Sequence, residues 1–394
     1  MISDETRHVL LVNRVGHLGG VERIILTLAD DLASCGWQPV LACPAAGDLP
    51  DAARSQGTEV APCRFDRMRI SADPRVLARY PFAMLRGSHD IERHCRERRI
   101  DILHVHHPVT ALYASRASRR LGIPIVLHVH ETLPARPLYA LALRLAIRRA
   151  AAVLCVSGAA LSLARALGAD PVRSRVVYNG IDRRFFEAAP SSPPTVLRSM
   201  GPGPHIGVFA VLEPRKAQHV LLEAASLLTE RFPTARFWLV GSAALKDKQA
   251  YVDRLHQLAD APPLRGRVGF AGFQSDMVAW LGVMDIVVQT SVALESFGMA
   301  IAEAMALARP VIVTRVGGLP EVVRHEQTGL VVPPDDAAAL AAALARLLDD
   351  IGLRVRFGAL AALDARARFA PDVFRHAIAQ AYDAVTHIQC RPLA

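Results

Sequence analysis

Short apolar runs recur along the chain, each stopped by glycine, proline or a polar cluster, with longer stretches of helical apolar spacing between them. In the first half, the runs His8–Asn13, Trp37–Cys43, Ile102–His106, Ile125–His130, Ala152–Val156 and Arg175–Tyr178 predict strands. Helices are predicted from Val21 to Cys35, Val109 to Leu121 and Tyr139 to Ala150. Short apolar strands alternating with helices belong in a parallel sheet covered on both faces. The pattern breaks at Ala189–Pro204, where proline, serine and glycine cluster as in a linker. It then restarts, with strands at Ile206–Leu212, Arg236–Val240, Val268–Ala271, Ile286–Gln289, Val311–Thr314 and Leu330–Val332. Helices His219–Arg231, Ala250–Ala259 and Ala337–Asp349 accompany them, and Val373–His387 predicts a last one. The reading is an α/β protein of two doubly wound Rossmann-like domains, 1–188 and 205–372, facing a central cleft. Linker 189–204 joins them, and residues 373–394 carry the last predicted helix. In such sheets ligands bind beyond the carboxyl ends of the strands.

A chain of 394 residues is long enough for two cores. No apolar run reaches the roughly 18 residues of a membrane span. The nearest, Leu138–Val156, is cut by Arg144, Arg148 and Arg149. A polar amino terminus leading straight into a strand predicts no signal peptide. Six cysteines without a Cys-x-x-Cys pair suit reduced thiols, so a cytoplasmic location is expected. Charge changes the picture more. Residues 1–184 hold 26 arginines and no lysine against 17 acidic residues, so the whole +9 excess lies there. That field suits anionic partners. Aromatics are few and no nucleic-acid reader motif is found, so an anionic membrane surface or a lipid-phosphate acceptor fits better than nucleic acid. The stretch Leu138–Ala152 reads equally as a helix lying on a membrane surface or as a packed helix with a basic edge.

The candidate chemistry gathers at strand ends. After the run Asp285–Gln289 comes Glu295-Ser-Phe297-Gly298-Met299-Ala300-Ile-Ala-Glu303, a glycine turn and helix start between two carboxylates. Free amides and the helix dipole make such a start a site for phosphate, with an acid on either side. Gly19-Gly20 stands between the first strand and a helix, where glycine lets backbone amides approach an oxyanion. The alternative there is a plain tight turn. Lys216, with Arg215 beside it, follows the first strand of the second domain. Gly241 and Phe273 each follow a strand and suit contacts to a base, or are simple exit turns. Histidines crowd two strand ends (His104, His106, His107; His128, His130), but no Asp-x-Asp or cysteine accompanies them and no metal is expected. Asp335-Asp336 and Asp349-Asp350 read as a helix cap and a solvated end.

Taken in order, Gly19-Gly20-Val21-Glu22, Val177-Tyr178-Asn179-Gly180-Ile181-Asp182, Glu213-Pro214-Arg215-Lys216, Glu295–Glu303, Gly317-Gly318-Leu319-Pro320-Glu321 and Thr328–Pro333 resemble the retaining glycosyltransferases of glycosyltransferase family 4. The resemblance covers nearly the whole chain. It implies a GT-B fold, with the helix in 373–394 packing back on the first domain, and metal-independent transfer of a sugar, with retained configuration, from a nucleotide diphosphate sugar to a sugar or lipid-linked hydroxyl acceptor. No cofactor is implied; the setting would be cell-surface polysaccharide or glycolipid synthesis at the inner face of the membrane. By the same resemblance Glu303 holds the ribose and Glu295 touches the donor sugar. The Gly298, Met299 and Ala300 amides and Lys216 hold the diphosphate, with Phe297 and Arg215 beside it. His130 lies near sugar and acceptor, and the Gly19-Gly20 loop approaches the donor phosphates. The chain departs from the family pattern Gly-Arg…Lys-Gly, carrying Ala210-Val211 for the first pair and Ala217 for the last glycine. Two other readings stand beside this one. A non-catalytic GT-B partner subunit would bind a nucleotide sugar without turning it over. A pyridoxal-dependent phosphorylase would need a Schiff-base lysine, with only Lys216, Lys246 and Lys248 to choose from.

Overall fold

The structure, a computed structural model, describes residues 6–30, 32–65, 74–130, 137–187, 201–243, 248–293 and 295–389, with backbone alone at 74–80, 138 and 387–389. It divides into two compact units, Met1–Gly180 with Pro371–Ala394, and Ile181–Ala370. In the first unit, β1 (Arg7–Val12), β2 (Trp37–Cys43), β3 (Glu59–Pro62), β4 (Ile102–Val105), β5 (Ile125–Val129), β6 (Ala152–Cys155) and β7 (Ser174–Val176) form one sheet. Its order is β3-β2-β1-β4-β5-β6-β7, and every pairing is parallel. The second unit has β8 (His205–Phe209), β9 (Arg236–Val240), β10 (Val268–Gly272), β11 (Ile286–Gln289), β12 (Val311–Thr314) and β13 (Leu330–Val332). These are also all parallel, in the order β10-β9-β8-β11-β12-β13.

Burial explains why these runs are strands. Val9, Leu10, Leu11 and Val12 are wholly buried, as are Ile102, Leu103 and Val105 next to them, because helices cover both faces. In the second unit Leu221, Leu239, Val288, Ile312, Leu344 and Phe357 share one core. Each sheet has a point where the strand order reverses, between β1 and β4 and between β8 and β11. Connections from the two strands diverge there and leave a crevice beyond their carboxyl ends.

Several expectations change in detail. The helix expected over Val21–Cys35 is Gly20–Ala29 followed by a 3₁₀ turn at Leu32–Cys35, because Asp30 leaves the helix in extended conformation. The helix expected from His219 to Arg231 stops at Ser226. Asp336 does cap its helix, accepting from the Ala339 amide at 2.8 Å. Asp350, expected at a solvated end, caps a further helix, Ile351–Phe369, by accepting from Leu353. Helix Pro137–Arg149 buries Leu143, Ala146 and Ile147 in the first unit and exposes Arg144, Arg148 and Arg149. It packs through these three residues and carries a basic edge, with Leu141 left 53% exposed. Most of the expected linker lies outside the described residues. The last helix, Pro371–Gln389, packs in the first unit. There Tyr382 stands edge-on to Trp37, and Asp383 pairs with Arg7 at 2.6 Å. Among the described residues no helix is long and apolar enough to cross a membrane.

Candidate active site

In the second unit the predicted residues converge at the β8/β11 reversal. β8 leads through Ala210–Glu213 into the 3₁₀ turn Pro214–Lys216, and Ala217 follows in a left-handed conformation with φ 49°. Backbone contacts dock this turn on the exit of β11. The Val292 amide donates to Arg215 O at 2.9 Å, and Thr290 Oγ1 donates to Lys216 O at 2.7 Å. Lys216 Nζ is thereby aimed at Glu295, and the two form an ion pair through Oε2. Ser291 Oγ, at 2.8 Å, and Gln289 Nε2, at 3.2 Å, donate to the same oxygen. Gln289 and Ser291 are both buried, so three donors fix one carboxylate oxygen away from bulk water. The backbone of Glu295 is held as well. The Gly318 amide donates to its carbonyl at 2.9 Å, and at Gly317 (φ 53°) a Cβ would lie 1.8 Å from that oxygen. Only glycine fits there.

Gly298 (φ 92°) caps helix Met299–Ala306. A Cβ on Gly298 would meet Leu319 at 2.5 Å, which explains the glycine between Phe297 and Met299. As first residues of the helix, Met299 and Ala300 have amides with no intrahelical acceptor, at its positive end. Phe297 is buried edge-on against Phe369 and braces the loop. Glu303, 7% exposed, lies in the second turn of this helix. Arg215, expected to serve as a cation, is ion-paired to Glu213 at 2.6 Å. The Gly241 amide is engaged too, donating to Gly272 O at 2.8 Å, so its turn presents no free N–H from Gly241. Phe273 follows Gly272 as one of the most exposed large apolar residues.

In the first unit the β1/β4 reversal carries the rest. Gly19 caps helix Gly20–Ala29, but its amide, expected to be free for an oxyanion, donates to Glu22 Oε2 at 3.1 Å. Asn13 Nδ2 donates to the other oxygen of Glu22 at 3.0 Å. A carboxylate of the chain itself thus occupies part of that helix start. Strands β4 and β5 pair side by side, so the alternate positions His104, His106, His128 and His130 form a stack on one sheet face. The ring centroids of His104 and His106 are 4.2 Å apart, as are those of His128 and His130. His104 Nδ1 bonds Tyr382 Oη at 2.6 Å, and His106 Nδ1 bonds His130 Nε2 at 3.1 Å. Burial drives His104, His106 and His128 well below the ordinary histidine range, reinforced by the neighbouring histidines. It takes His130 down to about 3. The stack is therefore neutral at physiological pH. Nitrogens of His104, His106 and His128 lie within 4.8 Å of one another. Their rings, however, are within 28° (His104/His106) and 17° (His104/His128) of parallel. Parallel rings send their lone pairs side by side, whereas a tetrahedral ion needs them convergent.

Sequence reasoning named Lys216, Glu295 and the helix start but missed Gln289, Ser291, Thr290 and Tyr382. The first three had one available signal, a polar Gln-Thr-Ser exit after the apolar strand Ile286–Gln289.

Two all-parallel sheets, each with its polar side chains at the reversal of strand order, define a GT-B protein. Residues 203–350 match the family model described as glycosyl transferases group 1, and residues 18–185 that of glycosyltransferase family 4. The D-inositol 3-phosphate glycosyltransferase of Streptomyces scabiei is 31% identical over 73% of this chain and 68% of its own length. The phosphatidyl-myo-inositol mannosyltransferase of Mycobacterium leprae is 28% identical over 93% of each. Among solved structures, Anabaena HepE in complex with UDP superposes with a TM-score of 0.82 at 25% identity, over 96% of this chain and all of HepE. HepE is also known with UDP-glucose, at a TM-score of 0.81. The chain belongs to glycosyltransferase family 4.

Proposed function

We propose that this glycosyltransferase moves a sugar from a nucleoside diphosphate sugar to a hydroxyl acceptor, with retention and without a metal. One observation carries the reading. At the β8/β11 reversal, Lys216 and the first amides of helix Met299–Ala306, which have no intrahelical acceptor, stand with Glu295 and Glu303 around one strand exit. A cation and a helix start stabilise a leaving diphosphate where its charge develops. Glu303 takes the ribose hydroxyls. Glu295, held by Lys216, Ser291 and Gln289, takes hydroxyls of the donor sugar. His130, neutral, serves a sugar hydroxyl or the leaving phosphate. Glu295 is committed to three donors, so a same-face displacement guided by the departing phosphate suits this site better than a covalent glycosyl–enzyme.

The relatives support a donor of the UDP-sugar kind, since HepE binds UDP and UDP-glucose. They support an anionic acceptor too, inositol phosphate or a phosphatidylinositol in the relatives' names, matching the arginine excess of residues 1–184. Exposed Phe82 and Leu85 beside Arg86 suit a lipid-borne acceptor at the inner membrane face. One test is nucleotide release from a panel of nucleotide sugars, with inositol phosphates and phosphatidylinositol vesicles as acceptors. Product anomers are read by NMR. Acceptor-dependent release with a retained anomer is expected. Saturable donor binding without release, on any acceptor, would favour the non-catalytic partner instead, a reading that Val211 in place of the family arginine keeps open.

A further inference from the structure

His106 directly follows β4, beside His130 at the exit of β5, and has no part in the reading above, yet it holds the one hydrogen bond that His130 makes from Nε2. His106 Nδ1 and His130 Nε2 are 3.1 Å apart, the rings are 26° from parallel, and their centroids are 5.3 Å apart. Both imidazoles are neutral, so one nitrogen of the pair carries the proton and the other accepts it. The remaining nitrogens, His106 Nε2 and His130 Nδ1, are buried and have no hydrogen-bond partner among the described residues. Each arrangement therefore leaves one N–H and one lone pair unsatisfied. An unsatisfied N–H is the costlier of the two to bury, so its position decides the tautomer. If His130 donated, the stranded N–H would sit on His106, 3% exposed inside the stack. If His106 donates, the stranded N–H is Nδ1 of His130, which follows β5 and is the less buried of the two residues.

We infer that His106 is a positioning residue that donates from Nδ1 to His130 Nε2, fixing His130 as the Nδ1–H tautomer and presenting that proton to a sugar or phosphate oxygen. This rests on the assignment of His130 to the substrate. Placing the proton in advance spares the site a tautomer change on binding, and substrate would relieve the buried Nδ1–H.

Two measurements test it. In ¹⁵N-histidine NMR of the whole protein, His130 should show a protonated Nδ1 and an unprotonated Nε2, with N–H···N coupling to His106. The opposite tautomer, or a mixture, would overturn the inference. In steady-state kinetics with UDP-glucose, His106→Phe should lower kcat roughly three- to tenfold with little change in KM. His106→Asn, whose amide nitrogen falls near the place of Nδ1, should restore most of the loss. Equal losses in both variants at unchanged melting temperature would reduce His106 to a packing residue. If His130→Ala keeps full activity, it is the assignment of His130 to the substrate that fails. Should His106→Phe fail to fold, the tautomer of the unaltered protein still decides.

Discussion

Acid should unfold the first unit at a pH where most proteins are comfortable. The perturbation is a fall from pH 7 to pH 5. Burial holds His104, His106 and His128 neutral in the native state, well below the ordinary histidine value. In the unfolded chain the same residues take up protons below about pH 6.5. Between that value and the native one, the unfolded state binds protons that the native state refuses, so stability falls as pH falls. The loss is about 1.4 kcal/mol per pH unit for each histidine. A histidine that stays neutral to pH 5 forgoes about 2 kcal/mol there, and the three act in the same direction, against a domain stability of about 5–15 kcal/mol. His107 and His130, both lowered by burial to about 3, add in the same direction. The carboxylates do not confuse this window. Against burial, Arg64 holds Asp90 below its ordinary range, and Arg116, with Arg96 and Arg120, does so for Glu92. Their contributions are present above about pH 4 and fade only below it.

Urea unfolding at half-unit steps from pH 7.5 to 5 measures the effect. The slope of stability against pH should approach three protons or more below pH 6. His128→Phe, which keeps a flat ring in the stack, should remove about one proton from that slope. A stability flat to within one proton from pH 7 to pH 5 would refute the claim that the stack is neutral and excludes protons.

Other outcomes follow from the second unit and the surface. Glu303→Ala should weaken donor binding by about 1.5–3 kcal/mol, the loss of a charge-assisted hydrogen bond, with unchanged affinity by calorimetry removing the ribose assignment. Glu295→Gln should instead lower kcat more than it raises KM, because it releases Lys216 and loosens the sugar contact; a pure KM effect would contradict that role. Activity should survive a chelator, since Lys216 and the helix start at Met299 supply the positive charge; loss restored by manganese or magnesium would reverse this. Vesicles of anionic lipid should sediment the protein at low salt and release it as salt rises, at about 1 kcal/mol per nearby basic residue. Such charges are screened within about 8 Å at physiological ionic strength. No recovery on either anionic or neutral vesicles at low salt would point to a soluble acceptor.

Much of this was legible because parallel sheets write themselves plainly. Val9–Val12 and Ile286–Val288 are apolar on both faces, and glycine turns separate them from the helices they feed. The Glu295–Glu303 spacing was legible because one local element, the helix capped by Gly298, carries it. Edge strand β3 escaped because Glu59 and Pro62 are exposed and only Ala61 is buried, so no apolar run marks it. Long-range pairs escaped for a different reason. Lys216 and Glu295 are 79 positions apart, and His104 and Tyr382 are 278 apart, so no periodicity relates them. They meet because β8 pairs with β11, and because the last helix returns to the first unit. The histidines stood between these cases. Their alternation on two strands was visible, but a stack required β4 and β5 to be neighbours.

The departures from the family pattern bear on activity through geometry more than through identity. Ala217 stands where the pattern has glycine, and it still takes a left-handed φ of 49°, at a cost of about 1 kcal/mol or more for a residue with a Cβ. Such strain persists only where the surroundings over-determine it. Here the Val292 amide, Thr290 Oγ1 and the full burial of Ala217 do so. The turn that aims Lys216 at Glu295 is therefore kept without its glycine. Val211 is another matter. It is 40% exposed just past β8, and the neighbouring Arg215 is paired with Glu213. On the proposed reading, the diphosphate charge then falls mainly on Lys216 and the helix start at Met299. Restoring the arginine with Val211→Arg should lower KM for the donor, the change expected of an added ground-state contact to phosphate. Unchanged kinetics in that variant would mean that the strand exit no longer faces the diphosphate, and that Lys216 alone carries it.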